Sequence, residues 1–177
     1  MKFGIIKERK NPPDRRVVFT PEELVRLQSE HPEAEIKVES SDIRIFSDDQ
    51  YRNLGLNVTT DLSDCDVLFG VKEVPVDALI PNKKYFFFSH TIKKQPYNRK
   101  LLKAILDKNI ELYDHETIVD ATNHRLIGFG RYAGLVGAYN GFRGFGIKYD
   151  LFTLPKAETL SGKEDLIARL KRQTLPN

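Results

Sequence analysis

The sequence predicts an α/β fold, a Rossmann-like and mostly parallel sheet with helices on both faces. Three observations predict it: strand-length apolar runs recur along the chain, well-marked helix starts stand between them, and the connections are short. A strand inside a parallel sheet is covered on both sides, so it reads as a continuous apolar run, and Val67-Leu68-Phe69 and Tyr85-Phe86-Phe87-Phe88 have that texture. With 40% hydrophobic residues among 177, the chain can bury a sizeable core, which excludes intrinsic disorder.

Phe3-Gly4-Ile5-Ile6 is the first strand, and Asn11-Pro12-Pro13-Asp14 is a loop that no regular element tolerates. Thr20-Pro21-Glu22-Glu23 then carries a capping box, with Thr20 as N-cap, Pro21 at the first helical position and Glu23 three residues on, ahead of apolar Leu24, Val25 and Leu27. Glu35 to Glu39 alternates with period two and predicts a half-buried strand. Ser47-Asp48-Asp49-Gln50 repeats the capping box for a short helix that ends at Gly55. Asn57-Val58-Thr59 matches a glycosylation sequon without a secretory context, and reads as a loop leading into a strand.

Asp66 to Val71 and Tyr85 to Phe88 are buried strands, and Pro96 opens a helix with Leu101, Leu102, Ile105 and Leu106 at one-face spacing. Ile110 to Tyr113 and Arg125 to Phe129 supply two further strands. From Arg131 the texture changes. Glycines at 134, 137, 141, 144 and 146 read as a helix packed closely against something, followed by a linker around Pro155 and a closing amphipathic helix from Lys163 to Arg172. The organisation is therefore a domain over 1–130 and a connecting helical segment over 131–177.

Lys and Arg number 28 against 25 Asp and Glu, scattered rather than clustered, which gives nucleic-acid binding no support and leaves small anionic ligands open. No apolar run approaches the roughly 20 residues of a membrane helix. The single Cys65 excludes an internal disulfide framework and a cysteine-based zinc site, and His31, His115 and His124 show no metal-ligand spacing. Opening directly into an apolar strand, the chain reads as cytoplasmic.

In Val71-Lys72-Glu73-Val74-Pro75, an ionisable pair stands at the carboxyl end of a buried strand, the rim where α/β folds place their chemistry. A lysine partly desolvated there becomes suited to proton transfer, although a surface lysine at a strand end has the same spacing. His90 ends the next buried strand after Phe86-Phe87-Phe88-Ser89, so an imidazole would share that rim, with Lys93 and Lys94 beyond it to attract carboxylates. Arg16 precedes a helix start, where a guanidinium and free backbone amides can hold a carboxylate. Glu116, just after a strand, would tune a neighbouring lysine. Gly128-Phe129-Gly130-Arg131-Tyr132-Ala133 matches G-x-G-x-x-A, and Asp150 lies 20 residues beyond Gly130. The dinucleotide fingerprint needs a helix and then a second strand, however, and the glycine-rich stretch after it leaves little room for both.

Lys7-Glu8, Arg16-Val17-Val18-Phe19-Thr20-Pro21, Val71-Lys72-Glu73-Val74-Pro75 and Ser89-His90 together resemble the amino-terminal domain of the alanine dehydrogenase and transhydrogenase family. Leu79 to Lys93, with Gly128 to Gly134, is more specifically similar to the lysine-ketoglutarate reductase or lysine-forming saccharopine dehydrogenase branch. The resemblance implies an NAD(P)-dependent oxidoreductase that joins lysine and 2-oxoglutarate into saccharopine or runs the reverse. Lys72 and His90 would be its acid/base pair, and Glu73 and Glu116 would modulate them. Arg16, helped by Lys10, would bind a substrate carboxylate, and Arg131 would lie by the substrate. It also implies that NAD or NADP is bound mainly by a separate nucleotide-binding domain, in cis or in trans, whose first strand would begin near Leu175-Pro176-Asn177, so that this chain alone would not turn over. An alanine dehydrogenase-type domain and a non-catalytic ligand-sensing or oligomerisation module are the competing expectations.

Overall fold

In a computed structural model that describes residues 1–173, six strands form one sheet: β1 (Lys2–Ile5), β2 (Glu35–Glu39), β3 (Asn57–Thr59), β4 (Val67–Phe69), β5 (Lys84–Phe87) and β6 (Glu111–Asp114). The spatial order is β3-β2-β1-β4-β5-β6 and every pairing is parallel. The order reverses direction between β1 and β4, and a doubly wound sheet opens its ligand crevice at the carboxyl ends of the two strands flanking such a switch point.

The register explains both faces. Val58, Val38, Ile5, Phe69, Phe86 and Tyr113 form one row across all six strands, and its aromatic members stack at 4.7 Å (Phe69 on Phe86) and 4.6 Å (Phe86 on Tyr113). Helices α1 (Pro21–Glu30) and α2 (Asp48–Arg52) cover the β1–β2 part of this face, burying Leu24 and Tyr51 against Ile5, Ile36 and Val38. Both helices begin at complete capping boxes, Thr20 with Glu23 and Ser47 with Gln50, each pair exchanging two hydrogen bonds. On the opposite face α3 (Arg99–Asp107) packs Leu101, Ala104 and Ile105 onto Leu68, Tyr85 and Phe87. Gly4 lies on that face under Leu68 and Leu62, where an added Cβ would come within 2.7 Å of the Leu68 side chain.

The first unit runs over Met1–Ile127, and a second begins at Gly128. In the second, α4 (Gly130–Lys148) and α5 (Lys163–Lys171) enclose a small core of Tyr139, Leu154 and Leu166.

Several expectations need correction. Asn57–Thr59 is itself strand β3, short and polar because it is an edge strand. Arg125 to Phe129 is not a strand: Arg125 makes one antiparallel bridge to Val119, and the glycines at 128 and 130 end the apolar run where α4 starts. Leu102 and Leu106 do not share the buried stripe of α3 and are 42% and 71% exposed, since they lie about 100° around the helix from Leu101 and Ile105. Of the glycines in α4, only Gly146 makes a close approach, with Phe152 filling the space a side chain would need; positions 134, 137, 141 and 144 have no neighbour within 4 Å of an added Cβ among the described residues. Leu175-Pro176-Asn177, the expected entry to a further domain, lies outside the described residues.

Candidate functional site

Four parallel strands end on one rim, and the residues just beyond them carry the charge. β1 leads to Glu8, β4 to Lys72 and Glu73, β5 to Ser89 and His90, and β6 to His115 and Glu116. A ring at the centre organises them. Phe88 is buried, and around its centroid lie the Lys72 Nζ at 5.8 Å, the His90 ring at 6.2 Å, the His115 ring at 5.1 Å and the Arg125 guanidinium at 6.0 Å.

His90 sits between two carboxylates. Its Nδ1 is 3.0 Å from Glu116 Oε2 and its Nε2 is 3.6 Å from Glu73 Oε1. Burial pushes the Glu116 carboxyl up, but hydrogen bonds from His90 and Lys93 outweigh it and hold the group below its usual range. Glu116 is therefore a carboxylate and can only accept, so Nδ1 of His90 carries a proton and Nε2 is the atom left to exchange one. The backbone of His90 is left-handed at φ 56°, a costly conformation for a side-chain-bearing residue, and Asn98 donates to its carbonyl at 3.1 Å. Ser89 donates to Asp114, and Asp114 accepts from the Glu116 amide at 2.9 Å, so the ends of β5 and β6 are tied beneath the His90–Glu116 pair.

Charge alternates outward from this pair. Lys10 Nζ reaches Glu73 Oε2 at 3.2 Å, while Lys93 and Arg125 approach Glu116 Oε1 at 3.2 and 3.7 Å. Arg16 is held in a two-pronged pair by Asp14, and that pairing chiefly depresses the Asp14 carboxyl, with Lys72 adding to the effect from nearby. Glu8 is buried and accepts from the amides of Val71 at 2.7 Å and Lys72 at 2.9 Å.

Of the residues singled out in the sequence, Lys72, Glu73, His90, Glu116, Lys10 and Arg16 converge on this rim. Arg131 is an exposed residue in the first turn of α4, in the second unit. Sequence reasoning passed over Glu8, Asp14, Asp114, His115 and Arg125. Glu8 stood in the Lys7-Glu8 pair that carried the family resemblance, whereas Arg125 was hidden in a stretch read as a strand.

The residues present do not fit a dinucleotide. The turn after β1 carries no glycine between Ile6 and Thr20, and the buried Glu8 carboxylate would repel a pyrophosphate there. At Gly128-Phe129-Gly130 a helix does begin, but among the described residues no strand leads into it, and α4 is followed by the turn Ala157–Thr159 and α5 rather than by a second strand.

Residues 4–136 match the family described as alanine dehydrogenase/PNT, N-terminal domain. The chain belongs to that family. Among curated relatives it is 37% identical over 147 residues to an alpha-aminoadipic semialdehyde synthase of Arabidopsis thaliana, covering 81% of this chain and 14% of the relative. It is 26% identical over 146 residues to the saccharopine dehydrogenase [NAD(+), L-lysine-forming] of Yarrowia lipolytica, covering 78% and 40%. The chain thus spans well under half the length of these relatives. Among solved structures, an L-alanine dehydrogenase superposes with a TM-score of 0.60 at 20% identity over 84% of this chain and 41% of that one. A transhydrogenase from Sinorhizobium meliloti superposes at 0.56 with 16% identity, covering 85% and 44%. These two likenesses establish the fold, that of the alanine dehydrogenase/PNT N-terminal domain. No helix among the described residues is long and apolar enough to cross a membrane.

Proposed function

We propose that this domain is the substrate-binding and acid/base half of an NAD(P)-dependent dehydrogenase of the lysine-forming saccharopine dehydrogenase or lysine-ketoglutarate reductase type. The observation that carries the reading is the packing of Lys72 and His90 around one buried ring, Phe88, with His90 bracketed by Glu73 and Glu116. Higher identity to the semialdehyde synthase and saccharopine dehydrogenases than to the alanine dehydrogenase structure favours saccharopine, or lysine with 2-oxoglutarate, as substrate.

Cleaving the carbon–nitrogen bond of an imine requires water to add at carbon, a proton to leave that water, and a proton to reach the departing nitrogen. Lys72 and His90 Nε2 divide these transfers. Glu116 fixes the imidazole tautomer and stabilises its cation, and Glu73, shared between His90 and Lys10, holds negative charge beside both. Arg16 and Lys10 draw the substrate carboxylates to the rim, with Arg16 exchanging part of its hold on Asp14 for the ligand, and Arg131 is assigned a substrate contact. The nicotinamide belongs to a separate nucleotide-binding domain, in cis or in trans, so this chain alone does not turn over. Its one thiol, Cys65, is free and buried, which suits a reducing compartment such as the cytoplasm.

Calorimetric titration of the chain with saccharopine, 2-oxoglutarate, pyruvate and NADH tests this reading. Saccharopine or 2-oxoglutarate binding that is lost in Lys72→Met and Arg16→Met is the expected result, with no tight NADH binding. Preference for pyruvate would move the domain to the alanine dehydrogenase type, and binding of none of the acids would leave a non-catalytic module.

A further inference from the structure

Lys72 lies in a segment that has left the sheet. β4 ends at Phe69, and from Gly70 to Lys72 the backbone groups must find partners outside the regular ladder. Two hydrogen bonds to the next strand continue it briefly, from the Gly70 amide to the Phe86 carbonyl and from the Phe88 amide to the Val71 carbonyl. Of the four groups that remain, side chains from neighbouring strand ends take three: the Gly70 carbonyl and the amides of Val71 and Lys72. Glu8, crossing the crevice from the end of β1, takes both amides, one on each carboxylate oxygen. His115, from the end of β6, lies 3.0 Å from the Gly70 carbonyl through Nε2; a carbonyl only accepts, so Nε2 carries the proton.

We propose that Glu8 and His115 are the positioning residues of Lys72, holding its main chain from opposite sides so that the ammonium is presented beside Phe88. The inference rests on the role given to Lys72 above. Both residues are buried, at 7% and 5% exposure, and each spends hydrogen bonds on the main chain around Lys72. Gly70 keeps the arrangement possible, because a Cβ there would stand 2.7 Å from Ile6 Cδ1 and 3.6 Å from Glu8 Oε1. A buried carboxylate is a costly way to fill two amides unless their position matters. Burial also lowers the proton affinity of His115, and its Nδ1 is a buried atom with no hydrogen-bond partner among the described residues. An imidazole that leaves one nitrogen unsatisfied is kept for the bond made by the other.

The test follows the Lys72 amide and side-chain resonances through a pH titration of the chain, in wild type, Glu8→Gln, His115→Phe and His115→Gln. His115→Phe keeps shape and charge and removes the donor, so it isolates geometry from electrostatics. It is expected to displace the Lys72 amide resonance and to change the pH profile of its side-chain resonances, since both follow the position of the main chain. His115→Gln, whose amide nitrogen can stand in for Nε2, is expected to restore both. Glu8→Gln retains one acceptor and should displace the Val71 and Lys72 amides while the His90 imidazole titrates as before. If His115→Phe and Glu8→Gln lower only thermal stability and leave the Lys72 titration in place, both residues are merely structural and the inference fails. Should Lys72→Met bind saccharopine like wild type, the role of Lys72 falls instead, an outcome independent of these resonances.

Discussion

The sheet has two charged rims that obey different physics. At the amino ends of the strands, Lys2, Glu35, Lys37 and Asp64 form a solvated cluster in which Asp64 receives two lysines at 2.8 and 2.6 Å. At the carboxyl ends, Glu8, Asp114 and His115 are buried and Glu116 is half-buried; the partners of the buried three are backbone amides, a carbonyl and a hydroxyl, and Glu116 adds an imidazole, an ammonium and a guanidinium. Exposed pairs are screened and add little to stability, whereas a buried polar group is costly unless each bond is made. The comparison teaches that the amino rim tolerates change and the carboxyl rim is organised by geometry.

The largest effect that would break this contrast is at Asp114. Asp114→Ala leaves the Glu116 amide without its acceptor and the fully buried Ser89 hydroxyl with only the Thr91 hydroxyl to bond, and urea denaturation should show a loss of about 2 kcal/mol; a negligible loss would equate the two rims. Next comes Gly70→Ala, which drives a methyl group into Ile6 and toward Glu8 and should cost about 2 kcal/mol by the same measurement.

Glu8 sharpens the contrast through pH. Burial, the first cause, and the Asp14 charge raise its carboxyl above the usual 4.5, against the amides of Val71 and Lys72 and the charge of Arg16. A group raised on folding adds stability that is fully present below 4.5 and is lost as pH climbs through the raised value. The stability of Glu8→Gln relative to wild type should therefore improve as pH rises through that window, and a flat difference curve would show that Glu8 is not desolvated.

The smallest effect belongs to the other rim. Hydrogen bonds from Lys2 and Lys37 hold Asp64 at about 2, so its contribution is present above 3.8 and fades as pH falls through about 2. Because the group is fully exposed, Asp64→Asn at physiological salt should be indistinguishable from wild type in denaturation midpoint, and a clear loss would mean this rim is not screened as described.

Much of the fold was legible because its signals are local. The capping boxes at Thr20 and Ser47 name their own helix starts, and the apolar runs around Leu68 and Phe86 name buried strands. Where local signals were weak or misleading, the reading failed. Asn57-Val58-Thr59 carries too few apolar residues to announce an edge strand, and Leu126, Ile127 and Phe129 were apolar enough to suggest a strand where only one isolated bridge, Arg125 to Val119, forms among the described residues. The placement of Lys72 and His90 at strand ends was legible for the same local reason.

By itself, then, the sequence determined the alternation of strands and helices, the ends at which ionisable groups stand, and through its motifs the family. Tertiary structure alone decided which of those groups meet. His90 finds Glu116 across 26 residues, and Glu8 finds Lys72 across 64, only because β1, β4, β5 and β6 lie side by side in register. Hydrogen bonds act over about 3 Å, and a separation of that size between distant residues is set by strand order and register, which no local periodicity encodes.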